Sequence, residues 1–218
     1  MSKIAAIQFI LTTIISFSVP VIFFVLIKKK FSAELFPVIE GSFSYIVISW
    51  IRAIAREIVI TESLKNSPWM YYFVYALLSG VFEEFGKYFV FVKVIPDYER
   101  VGDCLSYALG HCAAEIILTH EFFDIDFFDA FMNAYSFLFS IIFSCASTLL
   151  VYISVHLTDD KRYLTGAVIA HTLIDFIRAF YYLGVFDVGG LFVSDIILCT
   201  VFLYLSYRIY RHVSDNLY

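Results

Sequence analysis

Long apolar runs recur along this chain, and they leave few architectures open to it. They fall at 4–27, 42–60, 68–95, 103–119, 131–155, 164–183 and 191–210. A helix that crosses a bilayer needs about 20 mostly apolar residues, and each run is close to that length. Lipid offers the backbone no hydrogen-bond partners, so only helices and closed barrels span it. The strict alternation of a barrel strand is absent. The sequence therefore predicts an all-α, polytopic membrane helix bundle with about seven transmembrane helices, forming a single integral membrane domain over 1–218. Composition agrees. Of the 218 residues, 61% are hydrophobic and 20% aromatic, and the mean hydropathy is +0.83, far more apolar than an ordinary soluble domain. A net charge of −5 without a basic segment gives no reason to expect nucleic acid as a partner. Cys104, Cys112, Cys145 and Cys199 are scattered through apolar segments. They read as small buried hydrophobes, with no disulfide framework. The first run is too long for a signal-peptide core and reads as a retained span.

Basic residues set the expected orientation. Lys28, Lys29 and Lys30 close the first run, and placing them in the cytoplasm puts Lys93, Arg100, Lys161, Arg162, Arg208 and Arg211 there too. Only Lys3 and Lys65 fall on the other side. The N-terminus is expected outside and the C-terminus inside, in a cell membrane. The acidic, aromatic stretch 121–129 falls on the outer side and reads as an interfacial belt.

Charge near the middle of a span costs on the order of 2.5–3.5 kcal/mol on insertion scales. This chain places it there three times. The third run holds Glu83, Glu84 and Lys87. The fourth holds His111 and Glu115, and the sixth holds His171 and Asp175, each pair four apart on one helix face. Each set sits near the centre of its segment, so all three lie at similar depth and imply one internal site. Histidines with a carboxylate one turn away suit a divalent metal such as Zn²⁺. Alternatively, the carboxylate accepts from the ring's other N–H and orients it. Glu83 and Glu84 supply a candidate general base, and Lys87 lies one turn on, where it can neutralise a carboxylate. A metal lowers the pKa of its water to about 7, so these are the parts of a metal-assisted hydrolase. Gly80, Gly86 and Gly110 stand where helices would need to approach closely. Arg52, Arg56 and Glu57 read as structural or interfacial, and Arg178, three residues after Asp175, reads as that aspartate's partner.

Three segments carry a family resemblance: Phe82-Glu83-Glu84-Phe85-Gly86-Lys87-Tyr88, then Tyr107-Ala108-Leu109-Gly110-His111-Cys112-Ala113-Ala114-Glu115, then His171-Thr172-Leu173-Ile174-Asp175-Phe176. In that order they resemble the YhfC family of intramembrane metalloproteases, related in pattern to the PrsW and CAAX-protease/bacteriocin-processing families. The resemblance covers 68–185, the expected catalytic core. It implies hydrolysis of a peptide bond of a membrane protein or peptide, at or within the membrane. It also implies catalytic roles for Glu83, Glu84, Lys87, His111 and His171, and a metal, expected to be zinc, among His111, Glu115, His171 and Asp175. Where the family pattern usually has Arg, this chain has Lys87, which keeps the charge and loses the bidentate fork. The same residue types would also serve a metal-dependent membrane lipid amidase. A non-enzymatic transporter or peptide-binding membrane protein is the reading in which the charges form a relay.

Overall fold

A computed structural model describes residues 3–119 and 127–216, and those residues are helical with short connections. The elements are α1 (Lys3–Phe31), α2 (Phe36–Val59), the single turn α3 (Glu62–Lys65), α4 (Pro68–Lys93), α5 (Val101–Thr119), α6 (Phe127–Tyr152), α7 (Lys161–Tyr182) and α8 (Val188–Asp215). A π-helical turn, Ile153–Leu157, continues α6. Residues 121–126 of the acidic, aromatic stretch lie outside the described residues.

Most helices run a few residues beyond the apolar runs, because polar ends can be capped. Asp160 opens α7 by accepting from the Arg162 N–H at 2.9 Å, and Asp187 opens α8 by accepting from the Gly190 N–H at 2.7 Å. The Arg162 side chain, donating to Asp160 at 2.7 Å, and the cap itself hold this carboxyl below its ordinary range. Pro37 and Pro68 sit in the first turns of α2 and α4, where a missing N–H leaves no bond unmade.

Among the described residues, five helical stretches are long and apolar enough to cross a membrane: Phe36–Val59, Val101–Thr119, Ala134–Leu157, Lys161–Tyr182 and Val188–Asp215. The protein is a multi-pass integral membrane protein built as an all-α bundle. α4 is as long as these but carries Glu83, Glu84 and Lys87.

α5 and α6 are the most enclosed helices. α2 lies along α5, α4 along α7, and α8 against α6. The α2–α5 contact is close because two glycines face backbone. A Cβ on Gly41 would collide with the Tyr107 carbonyl oxygen, and one on Gly110 with the Val38 carbonyl oxygen. Ser42 lies between them and hydrogen-bonds the Gly110 carbonyl at 2.9 Å. Gly80 plays the same part between α4 and α7, where a Cβ would meet Thr172 and the Val168 carbonyl. The expected glycines thus do stand at close approaches, and Gly41 joins them. The four cysteines are free; Cys104, Cys112 and Cys199 are buried.

Candidate active site

The buried charges gather at one place between α2, α4, α5, α6 and α7. Glu83 is 2% exposed, Glu84 0%, Lys87 1% and His111 1%. Such groups are tolerated in an apolar interior only when paired and hydrogen-bonded. Most of them are. Lys87 donates from Nζ to Glu84 Oε1 at 2.8 Å and to Ser147 Oγ at 2.9 Å. Ser147 in turn donates to the Ser144 carbonyl at 3.2 Å. Glu83 is paired across the bundle, because its Oε1 accepts from Arg52 Nη1. Arg52 is anchored by Tyr45, whose hydroxyl lies 3.3 Å from Nη2. Each buried carboxylate therefore has its own cation.

His171 straddles the two carboxylates. Its Nδ1 lies 2.7 Å from Glu84 Oε1, and its Nε2 lies 3.8 Å from Glu83 Oε2 and 3.6 Å from Asp175 Oδ2. Glu84 also holds the Lys87 ammonium and acts as an acceptor, so the His171 Nδ1 carries the proton of that bond. A neutral His171 then presents Nε2 as a lone pair. This is the arrangement in which a carboxylate orients a metal-binding imidazole through its far nitrogen.

His111 approaches Glu83 from α5, with Nε2 3.5 Å from Oε2. Its ring is held edge-on by Tyr45, centroids 4.9 Å apart, as Phe143 holds His171 at 5.0 Å. Neither His111 nitrogen has a hydrogen-bond partner among the described residues. Two Nε2 atoms thus flank one carboxylate oxygen at distances too long for hydrogen bonds. They border a cavity of about 10 Å³ that also touches Glu115, Ser144, Asp175 and Arg178. That volume is about what one water molecule's centre needs.

Nitrogen and oxygen donors of this kind suit a divalent metal. Among the described residues, no group of three or more His, Cys, Asp or Glu side chains is closed tightly enough to hold one as it stands. The unpartnered His111 nitrogens and the lone pair that Glu84 leaves on His171 are what would receive it.

The sequence-predicted residues meet here, with their partners redistributed. His111 faces Glu83 on α4 rather than Glu115 one turn along its own helix. Glu115 and Asp175 line the cavity wall. Arg178 bonds to Asp195 of α8, Nε to Oδ1 at 3.0 Å, instead of Asp175. The residue that sequence reasoning placed elsewhere is Arg52. Its signal was present, an arginine inside an apolar span with Arg56 on the same face. Arg56 itself stays outside the site, on the Ser79 hydroxyl at 2.8 Å and 3.4 Å from the centre of the Tyr75 ring. Glu57 is exposed.

A family model described as YhfC intramembrane metalloprotease matches residues 15–128, just over half of the chain. The chain belongs to the YhfC intramembrane metalloprotease family. The YhfC match takes in Arg52, Glu83, Glu84, Lys87, His111 and Glu115 and ends before His171. The fold supplies the connection that the YhfC match lacks, since His171 reaches Glu84 and Glu83 from α7. No curated protein and no solved structure matches the chain.

Proposed function

We propose that this protein is an intramembrane metal-dependent endopeptidase, hydrolysing a peptide bond of a membrane protein or peptide at or within the bilayer. The observation that carries this reading is the convergence of Glu83, His111 and His171 on one water-sized cavity, with both His111 nitrogens unpartnered. A chain that only balanced its buried charges would have no use for two free imidazole nitrogens there. A relay for transport would need a continuous file of bonded groups, and at Glu83 both imidazole gaps exceed hydrogen-bond length.

Glu83 acts as the general base. Oε2 takes a proton from the attacking water and returns it to the leaving nitrogen, while Arg52 holds Oε1 and fixes the carboxylate. His111 and His171, through Nε2, would hold a divalent metal such as Zn²⁺, with Glu115 and Asp175 as the carboxylates nearest to complete the set. Bound there, the metal supplies polarisation of the scissile carbonyl and a more acidic water. Glu84 keeps His171 oriented, and Lys87 holds Glu84 by pairing with its Oε1. The core that we assign over 68–185 extends to Arg52 and Tyr45 on α2.

The helices are read as seven spans, α3 being too short, with the N-terminus outside and the C-terminus inside the cell membrane. The purified protein and two variants test the function. Glu83→Gln should lower peptide cleavage by about 10²–10⁴-fold, with folding measured beside it because the substitution also takes the charge partner from Arg52. His111→Ala should lose both cleavage and bound metal. Unaltered cleavage in both variants would end the proposal, and equal metal content in wild type, His111→Ala and His171→Ala would remove the metal from it.

A further inference from the structure

Three cavities meet at Arg178. It lines the small site cavity, a vestibule of about 480 Å³ bordered by Thr119, Tyr182 and Leu191, and a tyrosine-lined cleft of about 410 Å³ between α4 and α7. Its Nε donates to Asp195 Oδ1 at 3.0 Å, and Asp195 is itself 5% exposed on α8. That bond fixes the plane of the guanidinium. Arg178 Nη2 is buried and has no hydrogen-bond partner among the described residues. A buried N–H left unpaired is unfavourable. Held in place by a second helix and without a partner among the described residues, this donor is free to take an acceptor that a bound substrate brings.

We infer that Arg178 is a substrate-positioning residue: Nη2 donates to a main-chain carbonyl oxygen of the segment beside the scissile bond, which reaches the site through the vestibule. The inference rests on the peptidase reading above. Charge decides which acceptor it takes. Among the described residues that line the vestibule and the cleft, Glu115, Asp175 and Asp195 are the carboxylates and Arg178 is the one cation, with Arg56 set back behind the Tyr75 ring. A further carboxylate would be repelled there, whereas a neutral carbonyl is not. The same balance favours Lys or Arg over Asp or Glu on the substrate at the mouth, which Tyr181 and Tyr182 also line.

The probe is a membrane-spanning Leu/Ala-rich peptide with a Gly-Gly break, carrying either Lys or Glu at the end that meets the vestibule. It is reconstituted with the full chain in phosphatidylcholine vesicles. Binding is read by energy transfer in the Glu83→Gln background, so cleavage plays no part. The Lys peptide should bind more tightly than the Glu peptide. Arg178→Gln/Asp195→Asn keeps a neutral hydrogen-bonded pair and so protects the fold. It should weaken binding of the Lys peptide about tenfold. With Glu83 intact, the same double variant should raise KM and leave kcat unchanged. Binding equal to that of the parent, a preference for the Glu peptide, or no binding of either peptide overturns the inference. Absence of cleavage of either peptide by the wild-type protein would instead sink the peptidase reading, whatever Arg178 does.

Discussion

Glu83 and Glu84 are neighbours in sequence with different partners in space. Glu83 takes Arg52 from α2 and looks toward two histidines, while Glu84 takes Lys87 and holds His171. Removing one partner of a buried pair leaves the other charge stranded, at a cost of about 3–5 kcal/mol. Arg52→Met should therefore destabilise the protein by about that much, and Arg52→Met/Glu83→Leu should recover most of the loss, both read by thermal unfolding in detergent. If Arg52→Met alone is neutral, the pair is not what holds Glu83. At this scale the sequence was most legible where it was most costly. Charges and histidines inside apolar runs are conspicuous, and Glu83, Glu84, Lys87, His111, Glu115, His171 and Asp175 gather around one place, whereas Arg56 and Glu57 do not. Their pairing was not legible. Helical periodicity says which residues share a face, not which helix that face meets. Hence Arg178 read as the partner of Asp175 three residues away, when its bond runs to Asp195 on another helix.

The helices themselves could be read almost to their ends, because apolar length decides them in lipid. What could not be read was how closely they pack, which small residues settle. Gly110 abuts the Val38 carbonyl, and any side chain there must push α2 away. Gly110→Ala should destabilise the protein by about 1–3 kcal/mol and disturb the neighbouring His111. Gly166→Ala is the control. Its Cβ would meet only Leu150 Cδ1 at 4.0 Å, so the gain in helix propensity, about 1 kcal/mol, should survive. Thermal unfolding of the two variants side by side tests the packing, and the opposite ranking would refute it. Gly110 stands out in sequence because it precedes His111, but the backbone it meets is visible only in the fold.

For the whole molecule, seven long helices were legible in the sequence, whereas their neighbours in the bundle came from the fold; that the basic residues face the cytoplasm is our proposal. With the four native cysteines replaced by Ala, Lys65→Cys should react with a membrane-impermeant maleimide in intact cells, and Arg211→Cys only after lysis. The reverse pattern would invert the orientation. The placement of Glu83 and Glu84 on α4 has a mechanical consequence. Successive residues project about 100° apart around a helix, so this one helix is tied to α2 by the first carboxylate and to α7 by the second, with Lys87 adding α6. Turning α4 about its long axis to relax one set of ties strains the other. The centre therefore behaves as a lock rather than a hinge, and whatever admits a substrate has to give way in the helices around α4.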